Sequence, residues 1–470
     1  MDSDRMIVSP VDTLPGRVSN SGKQIVRKNG VSATAILTNF VCGMIGPGCF
    51  SVAMSFKQSG LWAGLFLVFF MGILSAISMY KIVLCSQHLC KLGNRWTMAI
   101  WQLKCVETAT SGSGPTTNTL DYLQNLESFL YFGDELSLNS RWIVNGCLIA
   151  FQLGVLSVCF VFVADHILEV IEFVTGIQSV LSKKQIMLVY FFPQLFLNFI
   201  KNIRVITLLS LCGNFIIFIA VGLVSKELIV HDKHRHSSLP AVTDFEGVTM
   251  AAGGLIYAFE GQAMVLALEN RLRHPSDMVG LNGVLCTSMN LVMLLYAFLG
   301  FYGYLTFGPT VADSLTLNLP NSSWTIVVKF LLVVKVFLGS ALQLYVIVAI
   351  LAPTLTNNCA KTSSERKEYA LRTALMVFSL LVALCVPNLY DIIPLVGITA
   401  GMLLSLILPA VLHTLMFLPA ALKQKASIVD IARLISLNSL LLVLGCTFLV
   451  TGLYSNIHSI VSKHSLNKSF

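Results

Sequence analysis

Thirteen residues, Asn39-Phe-Val-Cys-Gly-Met-Ile-Gly-Pro-Gly-Cys-Phe-Ser51, set three glycines and a proline into an apolar stretch running from about Ala33 to Phe56. Glycine and proline disfavour a helix interior by roughly 1 and 3 kcal/mol against alanine. A helix through this stretch is therefore predicted to open. Opening bares N–H groups at Gly46, Gly48 and Cys49, at the start of the next half-helix, where the dipole favours an anion such as a carboxylate. It also bares carbonyls around Gly43 and Ile45, which suit an ammonium. A second stretch, Gly253-Gly-Leu-Ile-Tyr-Ala-Phe-Glu-Gly-Gln262, repeats the arrangement. It offers the carbonyls of Tyr257, Ala258 and Phe259 beside Glu260 and Gly261. The chemistry implied is recognition of a zwitterion, with no bond made or broken. Phe50, Gln152, Tyr257, Phe259, Ser340 and Gln343 are the side chains expected to line the pocket and set selectivity. Glu260, an acid inside an apolar segment, is a functional candidate by default. It either organises its broken helix or carries a proton.

Composition says where these groups sit. Of 470 residues, 55% are hydrophobic and 11% charged, against roughly 25% charged in a soluble domain. The mean hydropathy is +0.78. Most of the chain is expected inside a bilayer, where a bared peptide group has no water to turn to. A helix broken there persists only if its opened backbone lines a cavity or faces protein, the pattern of a transporter's substrate helix.

About eleven spans are expected at ~20 residues each. They fall near 33–56, 61–85, 142–166, 184–199, 203–225, 248–268, 281–305, 325–353, 371–387, 392–417 and 434–455. With the N-terminus inside, ~20 of the lysines and arginines fall on the cytoplasmic side and ~8 outside. The charge of +8 is thus expected to reflect topology, and no nucleic-acid partner is inferred. Residues 1–32 are read as a disordered cytoplasmic tail and 33–228 as a first repeat holding a cytoplasmic segment, 91–141. An outside loop, 229–247, precedes a second repeat, 248–417; residues 418–470 supply the last span and an outside C-terminus. Two groups of five spans, each opening on an interrupted helix, must sit upside-down relative to each other. The expected fold class is all-α integral membrane, a 5+5 inverted repeat plus one helix, with spans one and six broken at mid-membrane. Asn321, in an N-x-S sequon between spans seven and eight, falls outside and is a glycosylation candidate.

Other features read more plainly. Cys85-Ser-Gln-His-Leu-Cys90 resembles half of a zinc site but has no second ligand pair, and no metal or cofactor is expected. The histidines of His231-Asp-Lys-His-Arg-His236 are read as a solvated loop. Leu120–Leu130 has apolar residues at helical spacing, expected as a helix on the inner membrane face. Lys329 is placed to snorkel from its span, whereas Lys335, six residues deeper, needs a partner or water and is a coupling candidate.

At the level of motifs the chain resembles the amino acid/auxin permease group, most closely the proton-assisted amino acid transporters. Gly46–Gly60 fits that family's G-T-G-L-L-G-L-P-L-A-x-K-x-A-G without a gap. Tyr257-Ala-Phe-Glu-Gly261 and Leu268-Glu-Asn270 look like its F-A-F-E-G and P-L-E-N strings. Leu120-Asp-Tyr122, Gln152-Leu-Gly154 and Ala341-Leu-Gln-Leu-Tyr345 fall where it has similar strings. Asn39 aligns with a family histidine linked to proton coupling, which makes Asn39 a further coupling position. Pro47, Ser51, Ala53 and Cys159 also depart from the pattern, and the family's outside cysteine pair is missing.

The resemblance implies a multi-pass membrane protein of the plasma membrane or an endolysosomal membrane, working as a monomer. It would carry small or neutral amino acids by alternating access with H+ or Na+. No G-x-x-x-x-G-K-[ST] loop is present to couple nucleotide hydrolysis, and no enzyme activity is expected. A non-transporting amino acid sensor using the same pocket stays open.

Overall fold

A computed structural model describes residues 30–91, 120–176, 181–200, 203–231, 234, 238–320, 322–356, 361–423 and 427–466. Residues 1–29 of the expected 1–32 tail, residues 92–119 of the expected cytoplasmic segment and the sequon asparagine Asn321 lie outside the described residues.

The first apolar stretch opens as expected. Helix α1 (Ala33–Met44) is capped by the Ser32 hydroxyl, and α2 (Pro47–Ser59) starts on Pro47 with Gly46 as its N-cap. Proline suits that first position because its missing N–H would be unpaired there anyway. The two halves meet at 56°. Gly60, at φ 95°, turns the chain into α3 (Leu61–Lys91). The sixth stretch forms α7 (Phe245–Ala258) and α8 (Gln262–Glu269), interrupted at Phe259–Gly261 while counting as one 25-residue span.

Between them run α4 (Leu120–Thr175), α5 (Lys183–Asn198) and α6 (Ile203–Val230). After them come α9 (Val284–Phe307), α10 (Ser323–Thr356) and α11 (Lys361–Cys385). The tenth span joins α12 (Leu389–Val396) to α13 (Leu408–Lys423) through two π-helical turns, Gly397–Gly401 and Leu403–Ile407. The last helix is α14 (Ile428–Leu466). Among the described residues nine helices are long and apolar enough to cross a membrane, ten with the bent pair. The eleventh expected span is α5, only 16 residues with Pro193 inside.

Three expectations change. The helix over Leu120–Leu130 is no separate surface element but the start of α4, because nothing between it and the third span breaks a helix more strongly than a lone Gly133. The third span also does not stop at His166 but continues to Thr175. That continuation brings Glu169 to 2.7 Å from the Lys329 amine. Lys329, 0% exposed, is therefore held inward by an ion pair instead of snorkelling.

The interrupted helices pack on each other through small residues. A Cβ on Gly48 would lie 3.1 Å from the Ala258 Cα and the Tyr257 ring, and one on Gly254 would lie 2.8 Å from the Ser55 hydroxyl. Gly253 and Gly397 let α7 touch the first π turn, where a Cβ on Gly397 would stand 1.9 Å from the Gly253 carbonyl oxygen. Backbone cannot yield as a flexible side chain would. Gly397→Val is expected to cost roughly 3 kcal/mol or more through overpacking. It should be seen as a lower melting temperature and a lost monodisperse peak in detergent. Gly146→Val, whose Cβ meets nothing within 4 Å, should leave both unchanged.

Candidate functional site

The two breaks face one another, and the groups that opened there are taken by the protein itself. Tyr296 of α9 directs its hydroxyl at the Met44 carbonyl (2.9 Å) and at the Ala258 carbonyl (3.0 Å). One phenol thus holds the last carbonyls of both α1 and α7. Its ring is fully buried and packs against Phe259, centroids 4.9 Å apart. On the opposite side, Lys335 of α10 donates from its amine to the Ile45 carbonyl at 3.3 Å. The thiols of Cys49 and Cys159 lie close enough to interact electrostatically with that amine. A Cβ on Gly46 would stand 3.8 Å from it. The Met44, Ile45 and Ala258 carbonyls opened by the breaks thus each meet a side-chain donor, as the hydrocarbon region demands.

These contacts correct part of the expected cradle. The Cys49 N–H bonds the Gly46 carbonyl at 3.1 Å, because α2 begins at Pro47 and uses this donor for its first turn. Gly46 and Gly48 keep the N–H groups that the helix itself does not bond. Gly43 packs α1 on α8, a Cβ there meeting the Met264 sulfur at 2.3 Å. Phe50 and Phe259 are buried in the core. Phe259 points between α3 and α9, where a Cβ on Gly72 would meet its ring tip at 3.2 Å. Ser340 spends its hydroxyl on the Phe337 carbonyl of its own helix, at 2.7 Å. Gln152 is buried with Oε1 unpartnered among the described residues. Its neighbour Phe151 lies 6.0 Å from the Tyr257 ring. Gln343 is half-buried. Asn39 is exposed on α1.

Glu260 sits in the second break. Its Oε2 accepts from the Ser405 hydroxyl, 3.0 Å away on the second π turn. The N–H groups of Gln262 and Ala263, at the start of α8, face the carboxylate. A carboxylate there offsets the bared N-terminus of a helix. A Cβ on Gly261 would stand 2.9 Å from the Met79 methyl and 3.5 Å from the Phe40 ring, so this break is closely enclosed. A second polar group lies away from the breaks. Lys81 of α3 donates to the Asn438 side-chain oxygen of α14, whose amide nitrogen lies 3.2 Å from His413 Nδ1 of α13.

Both ends of the bundle are tied across these elements. At the Val31 end, Val31 N–H bonds the Arg271 carbonyl at 2.8 Å and Arg273 N–H returns to Val31 at 3.0 Å. At the Gly60 end, the connection between α9 and α10 folds over the bundle. Lys57 reaches the Val311 carbonyl at 2.9 Å, and the backbone N–H of Tyr390 reaches Asp313 at 3.2 Å. His166 Nε2 meets the Thr316 hydroxyl at 2.6 Å. Under this connection, between α2, α7 and α12, is a cavity of about 10 Å³ lined by Ser51, Ser55 and Gly254, room for about one water.

Tyr296 escaped the sequence reading. A tyrosine deep in an apolar span was the available signal, since a buried phenol nearly always finds a partner. Tyr296→Phe keeps the ring and removes the one proton that the two buried carbonyls share. It is expected to cost about 1–3 kcal/mol, read as a lower melting temperature of the purified protein.

Residues 29–455 match the family model described as transmembrane amino acid transporter protein. A Caenorhabditis elegans relative, "Probable amino acid transporter skat-1", is 26% identical over 467 residues, covering 95% of each chain. The Drosophila melanogaster "Proton-coupled amino acid transporter-like protein pathetic" is 26% identical over 440 residues, covering 92% of this chain and 86% of the relative. Among solved structures, MhsT in complex with L-phenylalanine is similar at a TM-score of 0.45 and 12% identity, covering 91% of this chain and all of that one. A manganese transporter of Eremococcus coleocola is similar at 0.42 and 9%, covering 93% and 99%.

Proposed function

The chain belongs to the transmembrane amino acid transporter family, and from that premise we propose that it carries small or neutral amino acids across a membrane by alternating access, driven by an ion gradient. The observation that carries the reading is the pair of facing breaks, each with its end carbonyls held by a side chain of another helix. A break whose carbonyls are met by a phenol and an amine is one that can exchange them for a substrate ammonium. Lys335 already rests an amine donor on the Ile45 carbonyl, so the position suits a nitrogen that donates hydrogen bonds. The Gly46 and Gly48 N–H groups then take the substrate carboxylate, with the dipole of α2 behind them.

In this scheme the Gly60 end faces outward and the Val31 end inward. Substrate enters when the Lys57, Asp313 and His166 contacts part, and leaves when the Val31–Arg271 pairing opens. Glu260 and Lys335 are the coupling groups we favour. The first joins a half-helix terminus to the tenth span and the second joins the first break to the eighth. Asn39, exposed on α1, has less support. Selectivity falls to Tyr257 and Gln152 ahead of Ser340, whose hydroxyl is occupied.

The test is uptake of an amino acid panel into proteoliposomes at two pH values, with and without sodium. Concentrative uptake of a small neutral amino acid supports the proposal; binding without accumulation would turn it towards a sensor. Gly48→Val adds bulk 3.1 Å from the Ala258 Cα and is expected to abolish uptake while cell-surface expression persists. Undiminished uptake would remove this glycine from the site.

A further inference from the structure

A line of polar side chains leads from the second break towards the Val31 end, apart from the first break and its lysine. It begins at Glu260, whose Oε2 is taken by Ser405 while Oε1, also buried, has no partner among the described residues. Helix α3 passes alongside. A Cβ on Gly72 would meet the Phe259 ring at 3.2 Å, and one on Gly261 the Met79 methyl at 2.9 Å. The face of α3 that carries Gly72, Ser75 and Met79 is therefore the one turned to this break. Ser75 and Ser78 are fully buried, and neither hydroxyl has a partner among the described residues. A helical serine can give its hydroxyl to the carbonyl one turn back, as Ser59 and Ser157 do. These two do not, and buried hydroxyls left over in this way call for a reason. From Ser78 the line continues in steps of three or four residues through Lys81 and Cys85 to His88, each a surface neighbour of the last. Lys81 is buried and can only donate. Its bond to the Asn438 oxygen turns the Asn438 NH2 towards His413 Nδ1, which must accept. His413 is therefore neutral, with its proton on Nε2. Its ring packs on Phe417, centroids 4.7 Å apart, and His88 packs on the same ring at 5.3 Å. His88 is half-buried, and its neighbour Gln87 bonds the Pro275 carbonyl at 2.7 Å, close to the Val31 pairing.

We infer that this line is a proton route between Glu260 and the Val31 end, with His413 as the intermediate carrier. The proton leaves the Glu260 carboxyl, crosses the Ser405, Ser75 and Ser78 hydroxyls, and is taken up at His413 Nδ1 to give an imidazolium. A hydroxyl donates and accepts at once, so each can hand on one proton as it receives another. The imidazolium is then poorly held. Lys81 acts on it as a like charge from α3, and the Asn438 NH2 from α14 offers it a donor where it needs an acceptor. The proton is released towards His88 and solvent, and only O–H and N–H bonds are exchanged throughout. The titratable groups facing His413 are thus Lys81 and, across Phe417, His88, both on α3. Glu260 is faced by the Ser405 hydroxyl and the N–H groups of Gln262 and Ala263, which are uncharged. This inference rests on the transport reading above and on Glu260 as a coupling group. It adds the path and the second carrier, and the two can fail separately.

The experiment follows radiolabelled L-alanine and a trapped pH-sensitive dye in proteoliposomes holding the purified full-length protein. Two modes are compared: uptake driven by an inward proton gradient, and exchange of L-alanine at equal pH, which needs no net proton movement. His413→Gln keeps an acceptor for the Asn438 NH2 but carries no proton at neutral pH. It is expected to lower driven uptake and dye-reported proton entry by at least about tenfold, with the loss falling on these and not on exchange. Ser75→Ala with Ser78→Ala removes the two hydroxyls and little else. It should slow the same two readouts several-fold, and it decides the matter should His413→Gln fold poorly. Driven uptake at the wild-type rate in either variant overturns the route, as does an equal loss of uptake and exchange, which would mark a structural role. A wild type that accumulates L-alanine with no proton entry also overturns the route and leaves the carrier standing. A wild type that neither takes up nor exchanges L-alanine sinks both readings.

Discussion

Tyr296 is the contact on which this arrangement turns. Two helices that stop halfway through an apolar bundle each leave a carbonyl with nowhere to go, and exposing either to hydrocarbon costs several kcal/mol. A single phenol shares its one proton between them, at Met44 and at Ala258. That ties the two interruptions into one unit, because neither half-helix can shift without stretching the bond the other depends on. Phe259 packed on the ring and the near-contact of Gly48 with Ala258 hold the unit from either side. Lys335 does similar work from the far side of the first break. In the proposed cycle these are the bonds that a substrate replaces, and the unit they define is the part that moves together.

The two ends are tied in different ways. At the Val31 end the pairing is backbone to backbone, indifferent to which side chains are present. At the Gly60 end it depends on side chains, with Lys57, His166 and Asp313 each reaching a group of another element. Lys329, buried, and Glu169, half-buried, add an ion pair beside them. Removing one partner of such a pair strands the other charge and is costly. The Gly60 end is therefore more sensitive to substitution than the Val31 end.

Much of this was legible beforehand. Composition and hydropathy gave the all-helical membrane class, and Gly46-Pro47-Gly48 located the first break to within a residue or two. The F-E-G and L-E-N strings pointed to the family that residues 29–455 match. What stayed hidden was partnership. Local composition shows that Ile45 and Ala258 lose their helix neighbours, but not that Tyr296 and Lys335, hundreds of positions away in one case, arrive to bond them. Cys49 was misassigned because a capping residue one position earlier decides which N–H is spare. Lys329 was misread because the length of the third helix, set by residues beyond its apolar core, determines whether Glu169 reaches it. The shortness of α5 follows from its flanks, and the π turns of the tenth span have no simple composition signature.

Those π turns carry a consequence for register. Each inserts the equivalent of one extra residue into a helix, and one residue is a rotation of about 100° about the axis. Everything beyond the first is phased by that offset: Ser405, within the second, aims at Glu260, and two turns later His413 meets Asn438. A deletion of a single residue between Gly397 and Gly401 would let the first of the two turns relax to an ordinary helix. It would swing both side chains to a different azimuth while leaving the apolar character of the span untouched. The tenth span is thus a phase-setting rod, in which length, more than composition, decides what faces the centre.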